Sequence, residues 1–392
     1  MEREVKELWE RLGIEYTDEV LPYYERGLRL MGKHGDAIFD TERLEKINAK
    51  YNIFRQLEGH LTEVAKELRK NPDMLIYNYM AAEAIVDRIP FNKMFSLPAD
   101  GTVLSDHAAT FAILWHLDGA IARLEERKLP LRIISDSLNG IESEMLAYEE
   151  FKGRYGTRGF VGWYTYFLFG EILRVGRLQY QFFKLPSPVR VYKRTEEVAI
   201  LMDGVDMHKK GMIFGSLGQT DEEGRYFADI TEDGNSVFGY RTNKYGEVDP
   251  LRVELSGYTE VLRKGDNVLS VHITNSEPFN IELVRKSFEE ADEFFPRYYG
   301  DMNIKAYYLH SWLAEKRLRD IIGRDTNITL FADMFEGIPT RSGQYGAYMY
   351  LFACSEDTPT DELPERSSMQ RAVKKYMQEG NYFYDKAGIR LI

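Results

Sequence analysis

Two histidines, His272 and His310, each lie near the C-terminal end of a short alternating apolar stretch. Imidazole titrates near neutrality, so a neutral ring in such a place can take a proton in a reaction at physiological pH. His310 is followed by Ser311 and Trp312. A serine there can donate to a carbonyl oxygen or, given a base oriented on it, act as a nucleophile. On spacing alone, a structural role is the simpler reading: His310 caps local backbone and Trp312 packs. His60, His107 and His116 have no carboxylate neighbour at metal-ligand spacing and read as packed or surface histidines.

The elements that must position these groups lie between residues 268 and 335. Val268, Ser270, His272 and Thr274 alternate with Leu269, Val271 and Ile273, a strand with apolar content on both faces. Asn275-Ser276-Glu277-Pro278 is a turn, because Pro278 cannot continue a ladder. Asn280 is a natural N-cap, and Ile281, Val284, Phe288, Ala291 and Phe295 form one helical stripe that Pro296 ends. Ile304, Ala306, Tyr308 and His310 share one face of a second strand. His310 is thereby placed at the C-terminal end of an internal strand, where open α/β sheets collect their sites. Residues 327–331 read as a third strand and 345–354 as a fourth. A strand-to-helix turn such as 274–278 can gather N–H groups around an anion.

Residues 1–152 read as helices, with a long mixed-charge helix over 42–68, another opened by Asn71-Pro72, and an apolar one from Ser105-Asp106 onward. Gly153, Gly156, Gly159 and Gly162 cluster beside Arg154 and Arg158, but their spacing fits no phosphate loop, so a domain connection is the better reading. Leu178, Tyr180 and Phe182 alternate with Arg177, Gln179 and Gln181 as a strand. Residues 189–265 read as short strands and turns, with a hairpin at Asp233-Gly234-Asn235. The 392-residue length suits two domains, and 44% apolar residues suit packed cores. A net charge of −12 disfavours nucleic acid or an anionic membrane as partner. The single cysteine, Cys354, excludes a cysteine-built metal cluster and, with no apolar leader behind Met1, suggests a reducing cytoplasm.

The order strand, turn, helix, strand, helix, strand, strand resembles the second half of a GNAT-type N-acyltransferase. The chain is similar to the bacterial family that joins a helical N-acyltransferase N-terminal domain to a GNAT-like C-terminal domain. The resemblance is carried by Asp136-Ser137-Leu138, Trp163, Val175-Gly176-Arg177-Leu178-Gln179, Val271-His272-Ile273, Ser287, Phe294-Phe295, His310-Ser311-Trp312-Leu313, Asn327-Ile328 and the tail from Leu363 to Ile389. It implies an α+β chain: a helical domain over 1–152, then a GNAT-like mixed β-sheet flanked by helices over 153–392. It implies coenzyme A as acyl carrier, acetyl-CoA the simplest form, held by Val271, His272, Ile273, Thr274, Asn275 and Ser276, with no metal. It also implies direct attack by a small-molecule or peptide amine, with His310 as base, His272 as the alternative base, and Ser311 polarising the carbonyl or donating a proton. A tyrosine such as Tyr308 is a candidate acid. One departure is visible: the family carries an arginine or glutamine and then glycines in the pyrophosphate turn, where this chain has Asn275-Ser276-Glu277-Pro278. Asn275, Ser276 or Arg285 would then supply the missing donors. The rival reading is a non-catalytic acyl-CoA or metabolite-binding module on the same fold. Thioester hydrolysis through Ser311 ranks below both, because adjacent strand residues point to opposite faces.

Overall fold

The computed structural model describes every residue except Phe160 and residues 275–277, with backbone alone at residues 150 and 151. The chain divides into two compact units: residues 1–175 with 274–276, and residues 176–273 with 277–392. The first is helical from Glu2–Leu12 to Val161–Leu168 and closes on a short strand, Ile172–Val175. Among the described residues no helix is long and apolar enough to cross a membrane.

The long helix expected over 42–68 is two, Thr41–Tyr51 and Glu58–Arg69. Asn52 turns into the left-handed region at φ 51°. The Asn48 amide then ties down Phe54 on both N–H and C=O, at 2.7 and 2.8 Å. Across the break the buried Glu142 carboxylate accepts the N–H groups of Arg55, Gln56 and Leu57 at 2.9, 2.7 and 2.8 Å. A distant carboxylate thus satisfies backbone donors at a helix start, where negative charge is favoured. Local periodicity carries no trace of such a partner.

In the second unit the central sheet contains β1 (Leu178–Lys184), β2 (Asn267–Ile273), β3 (Ala306–Ser311), β4 (Glu336–Ile338) and β5 (Lys386–Leu391), in spatial order β1-β2-β3-β5-β4. β2 and β3 are parallel, and the other neighbours are antiparallel. A helix, α1 (Ile281–Tyr299), connects the parallel pair. Asn280 caps it through Oδ1, which accepts from the N–H groups of Glu282 and Leu283 at 2.8 and 3.3 Å. Pro296 lies inside this helix, in its last turn, rather than ending it. The stripe of α1 packs aromatic against aromatic on one sheet face: Phe288 on Tyr307, Phe295 on Tyr180 and Tyr299 on Phe182, with centroids 4.9, 5.4 and 4.7 Å apart. The other face shares a core with the short strands of 189–263: Val268, Ala306, Tyr308, Ala387 and Ile389 join Val189, Val191, Ile200 and Met202. Among those strands the expected hairpin is present, with Asp233 opposite Ser236.

Two expected strands are helical. Residues 327–331 lie in the helix Asn327–Ala332, opened by a capping box between Thr326 and Thr329. Its apolar run is too short to separate the strand and helix periods, and the cap decides. Within 345–354, residues Ala347–Phe352 form a π-helix. Tyr348 and Phe352 are buried together with Val373 and Phe383, packing partners that lie far along the chain.

Several of the resemblance residues meet. The Ser287 hydroxyl, fully buried on α1, accepts the Leu178 N–H at 3.1 Å and bonds the Tyr180 hydroxyl at 3.0 Å. Gly176, at φ 63°, leaves room for this approach, since a Cβ there would lie 3.1 Å from the Ser287 Cα. Ser287→Ala is expected to cost about 1–3 kcal/mol by stripping a buried N–H of its acceptor. The denaturant midpoint measures it, and an unshifted midpoint would show the hydroxyl idle.

Candidate active site

The ladder between β2 and β3 pairs Val268 with Ala306, Leu269 with Tyr307 and Ser270 with Tyr308, then stops. Both strands continue three residues beyond it, to Ile273 and Ser311. On its other edge β2 stays paired to β1 as far as Ile273 opposite Leu178. The sheet therefore opens between Val271–Ile273 and Leu309–Ser311, and strand edges that leave a ladder offer backbone groups that need partners.

Register decides which side chains meet there. Val268 stands opposite Ala306, so two residues per step bring His272 of β2 and His310 of β3 to the same height on the same face. Gln179 and Gln181 of β1 face the same way, opposite His272 and Ser270. Gln179, Gln181 and Ser270 are buried, and the Gln181 Oε1 lies 3.0 Å from the His272 Nε2. In sequence, Gln179 and Gln181 are only the polar half of a strand alternation. The available signal was that β1 is apolar on its other face and still carries amides that nothing in the alternation requires.

The two histidines differ in surroundings. His272 is half-buried at the residue level, and desolvation pushes its pKa down to about 4. His310 keeps an exposed side chain, and desolvation by its neighbours lowers its pKa from the ordinary value. Both rings are neutral at physiological pH. A proton acceptor works best when its pKa is near the working pH, which favours His310 over His272.

Ser311 points to the opposite face from His310. Its Oγ accepts the Leu313 N–H at 3.2 Å and caps the 3₁₀ turn Trp312–Ala314. The serine oxygen is a structural acceptor, and its own proton remains available to donate. Of the residues expected to hold the carrier, Val271 and Thr274 are buried and Ile273 half-buried. Asn275 and Ser276 lie outside the described residues. Two N–H groups in the first turn of α1 are taken by Asn280, and the Arg285 guanidinium pairs with Glu282 at 2.5 Å.

Directly behind the end of β3 lies a charged group that sequence reasoning missed. Lys386 of β5, opposite Ser311, is fully buried. Its Nζ reaches Glu315 Oε1 at 3.2 Å, Glu247 Oε1 at 3.3 Å and the Tyr245 carbonyl at 2.9 Å. Arg317 binds Glu247 with both ends of its fork, and its N–H donates to Glu315 Oε1 at 2.9 Å. Burial raises the pKa of Glu315, with Lys386 opposing. These groups pin the turn that follows His310 and Ser311.

A parallel pair that parts, a helix between its members and an antiparallel strand beyond define a GNAT-type acyltransferase fold. The model of the GNAT-like C-terminal domain family matches residues 172–390, more than half of the chain, and the chain belongs to that family. Its fold is shared with an acyltransferase variant in complex with octanoyl-CoA, at TM-score 0.59 and 15% identity over 90% of this chain and 88% of that one. It is shared with an acyltransferase in complex with CoA and 10C-teicoplanin, at TM-score 0.57 and 16% identity over 88% and 87%. An acyltransferase in complex with decanoyl-CoA and teicoplanin matches at TM-score 0.53 and 17% identity over 84% and 83%. No curated protein matches the sequence.

Proposed function

We propose that this chain is an acyl-CoA-dependent N-acyltransferase in which an amine attacks the thioester directly. The observation that carries the reading is the parting of β2 and β3 with His310 exposed at its lip. In this reading the thioester lies in the opening, beside Val271, His272 and Ile273. His310 takes a proton from the attacking ammonium, the nitrogen bonds to the carbonyl carbon, and the C–S bond breaks. The thiolate leaves and is protonated. Ser311 is the group to polarise the carbonyl oxygen or donate a proton, Tyr308 is a candidate acid for the sulfur, and His272 is the alternative base. The acceptor is a small molecule or peptide bearing an amine, a class supported by the glycopeptide in the related complexes. Acetyl is the simplest acyl group, and octanoyl and decanoyl, carried by the related acyltransferases, are the longer candidates.

Isothermal titration with CoA and octanoyl-CoA tests the first half. Saturable heat at one site per chain is the expected result, with the octanoyl form tighter because its tail buries apolar surface. Absence of heat with both compounds rejects carrier binding and the function built on it. Thiol release with acetyl-, octanoyl- and decanoyl-CoA then ranks the chain lengths.

A further inference from the structure

A carboxylate stands one residue before β5, close to the end of β3. Lys386 lies opposite Ser311 and Ala387 opposite His310, so continuing the alternation puts Asp385 diagonal to His310. Diagonal neighbours on one face are separated by about 7–8 Å, a gap that one bound nitrogen bridges. Asp385 Oδ2 accepts the Gly346 N–H at 2.9 Å. Its Oδ1 is buried and has no hydrogen-bond partner among the described residues. A buried acceptor left empty is expensive, and native exceptions call for a reason.

The Gly346 backbone comes close to that oxygen. Gly346 has an ordinary helical backbone, φ −63°, so nothing in its conformation requires glycine. A Cβ at this position would lie 2.2 Å from Asp385 Oδ1 and 3.2 Å from the Trp312 ring. Glycine is therefore required by the space beside the carboxylate. Immediately after it begins the π-helix Ala347–Phe352, a rare backbone that recurs at functional sites. Two exposed aromatics, Tyr345 and Tyr382, belong to the segments that meet here, joined by the Gly346–Asp385 and Gln344–Phe383 bonds. Burial and the negative charge of Glu356 push the Asp385 pKa up to about 6, against the pull of the Gly346 N–H. The nearby cation, Lys386, is already shared between Glu315 and Glu247.

We infer that Asp385 is the carboxylate that receives the protonated amine of the acceptor and holds it within reach of His310. This rests on the amine-transfer reading above. In the complex the ammonium donates to Oδ1, the Trp312 ring yields to admit it, and one of its protons passes to His310 before attack. A cation supplies both the missing donor and the missing charge.

The test compares two nucleophiles with octanoyl-CoA at neutral pH: glucosamine, which is cationic, and hydroxylamine, which is uncharged. Asp385→Asn keeps an acceptor for the Gly346 N–H and removes the charge. Its KM for glucosamine is expected to rise about tenfold or more, with hydroxylamine kinetics and CoA affinity unchanged. Gly346→Ala, which fills the space and leaves the aspartate in place, is expected to show the same selective loss. Equal loss for both nucleophiles, or no change for either, overturns the assignment. So does a wild-type protein that uses hydroxylamine but no cationic amine. If the wild type binds CoA and acylates neither nucleophile, amine transfer itself has failed and this assignment falls with it.

Discussion

His310→Ala is expected to lower turnover by about 10²–10⁴-fold while leaving CoA affinity unchanged, the range that a positioned general base contributes. Neither His272 nor Ser311 takes over. His272 faces the same opening, but burial holds its pKa at about 4 and its Nε2 is engaged with Gln181. Ser311 faces away and serves as a cap. The pH profile gives an independent reading. An imidazolium cannot accept a proton, so the rate should rise with pH through the His310 pKa and level off above it. Desolvation lowers that pKa, which moves the rise to the acid side of an ordinary histidine and places the plateau at neutrality. The same amine is used for both proteins, so any limb belonging to the amine appears in both. Loss of the acidic limb together with turnover assigns the base. Unchanged turnover rejects it and leaves the non-catalytic binding module as the better account.

Much of the frame is legible in the sequence because it rests on period. The α1 stripe, the alternation of β1 to β3 and the Asp233 hairpin are each written in consecutive residues. The errors fall where the apolar run is too short to separate the periods, at residues 327–332 and 347–352, and at the break within 42–68, and there caps or distant packing partners choose the backbone. The site is less legible. His272 and His310 can be placed on their strands from alternation, but that they share one face at one height depends on the register of β2 against β3. The same holds for Gln181, which meets His272 from 91 positions away. Asp385 is harder still, since its chemistry comes from an oxygen that lacks a partner and from the absence of a Cβ at Gly346.

Lys386→Met is expected to destabilise the second unit by about 3–5 kcal/mol, the cost of leaving a buried charge uncompensated. Glu315 is 1% exposed, and its Oε2 already lacks a hydrogen-bond partner among the described residues, so Lys386 is what keeps its other oxygen in a favourable field. Glu247 loses less, because Arg317 still grips it at 2.8 Å. Methionine matches the lysine stem in length and flexibility, so lost packing contributes little and the shift reports charge. The unfolding midpoint measures the effect, and the double variant Lys386→Met, Glu315→Leu separates the causes. With both partners apolar the unpaired charge is gone, and most of the stability should return. A double variant as unstable as the single one would mean that Lys386 acts mainly through the Tyr245 carbonyl and Glu247. Glu315 lies four residues beyond Ser311, in the turn that fixes where β3 ends. Recovery of stability without recovery of turnover would therefore show that the buried charges hold the His310 end of the strand in its working position.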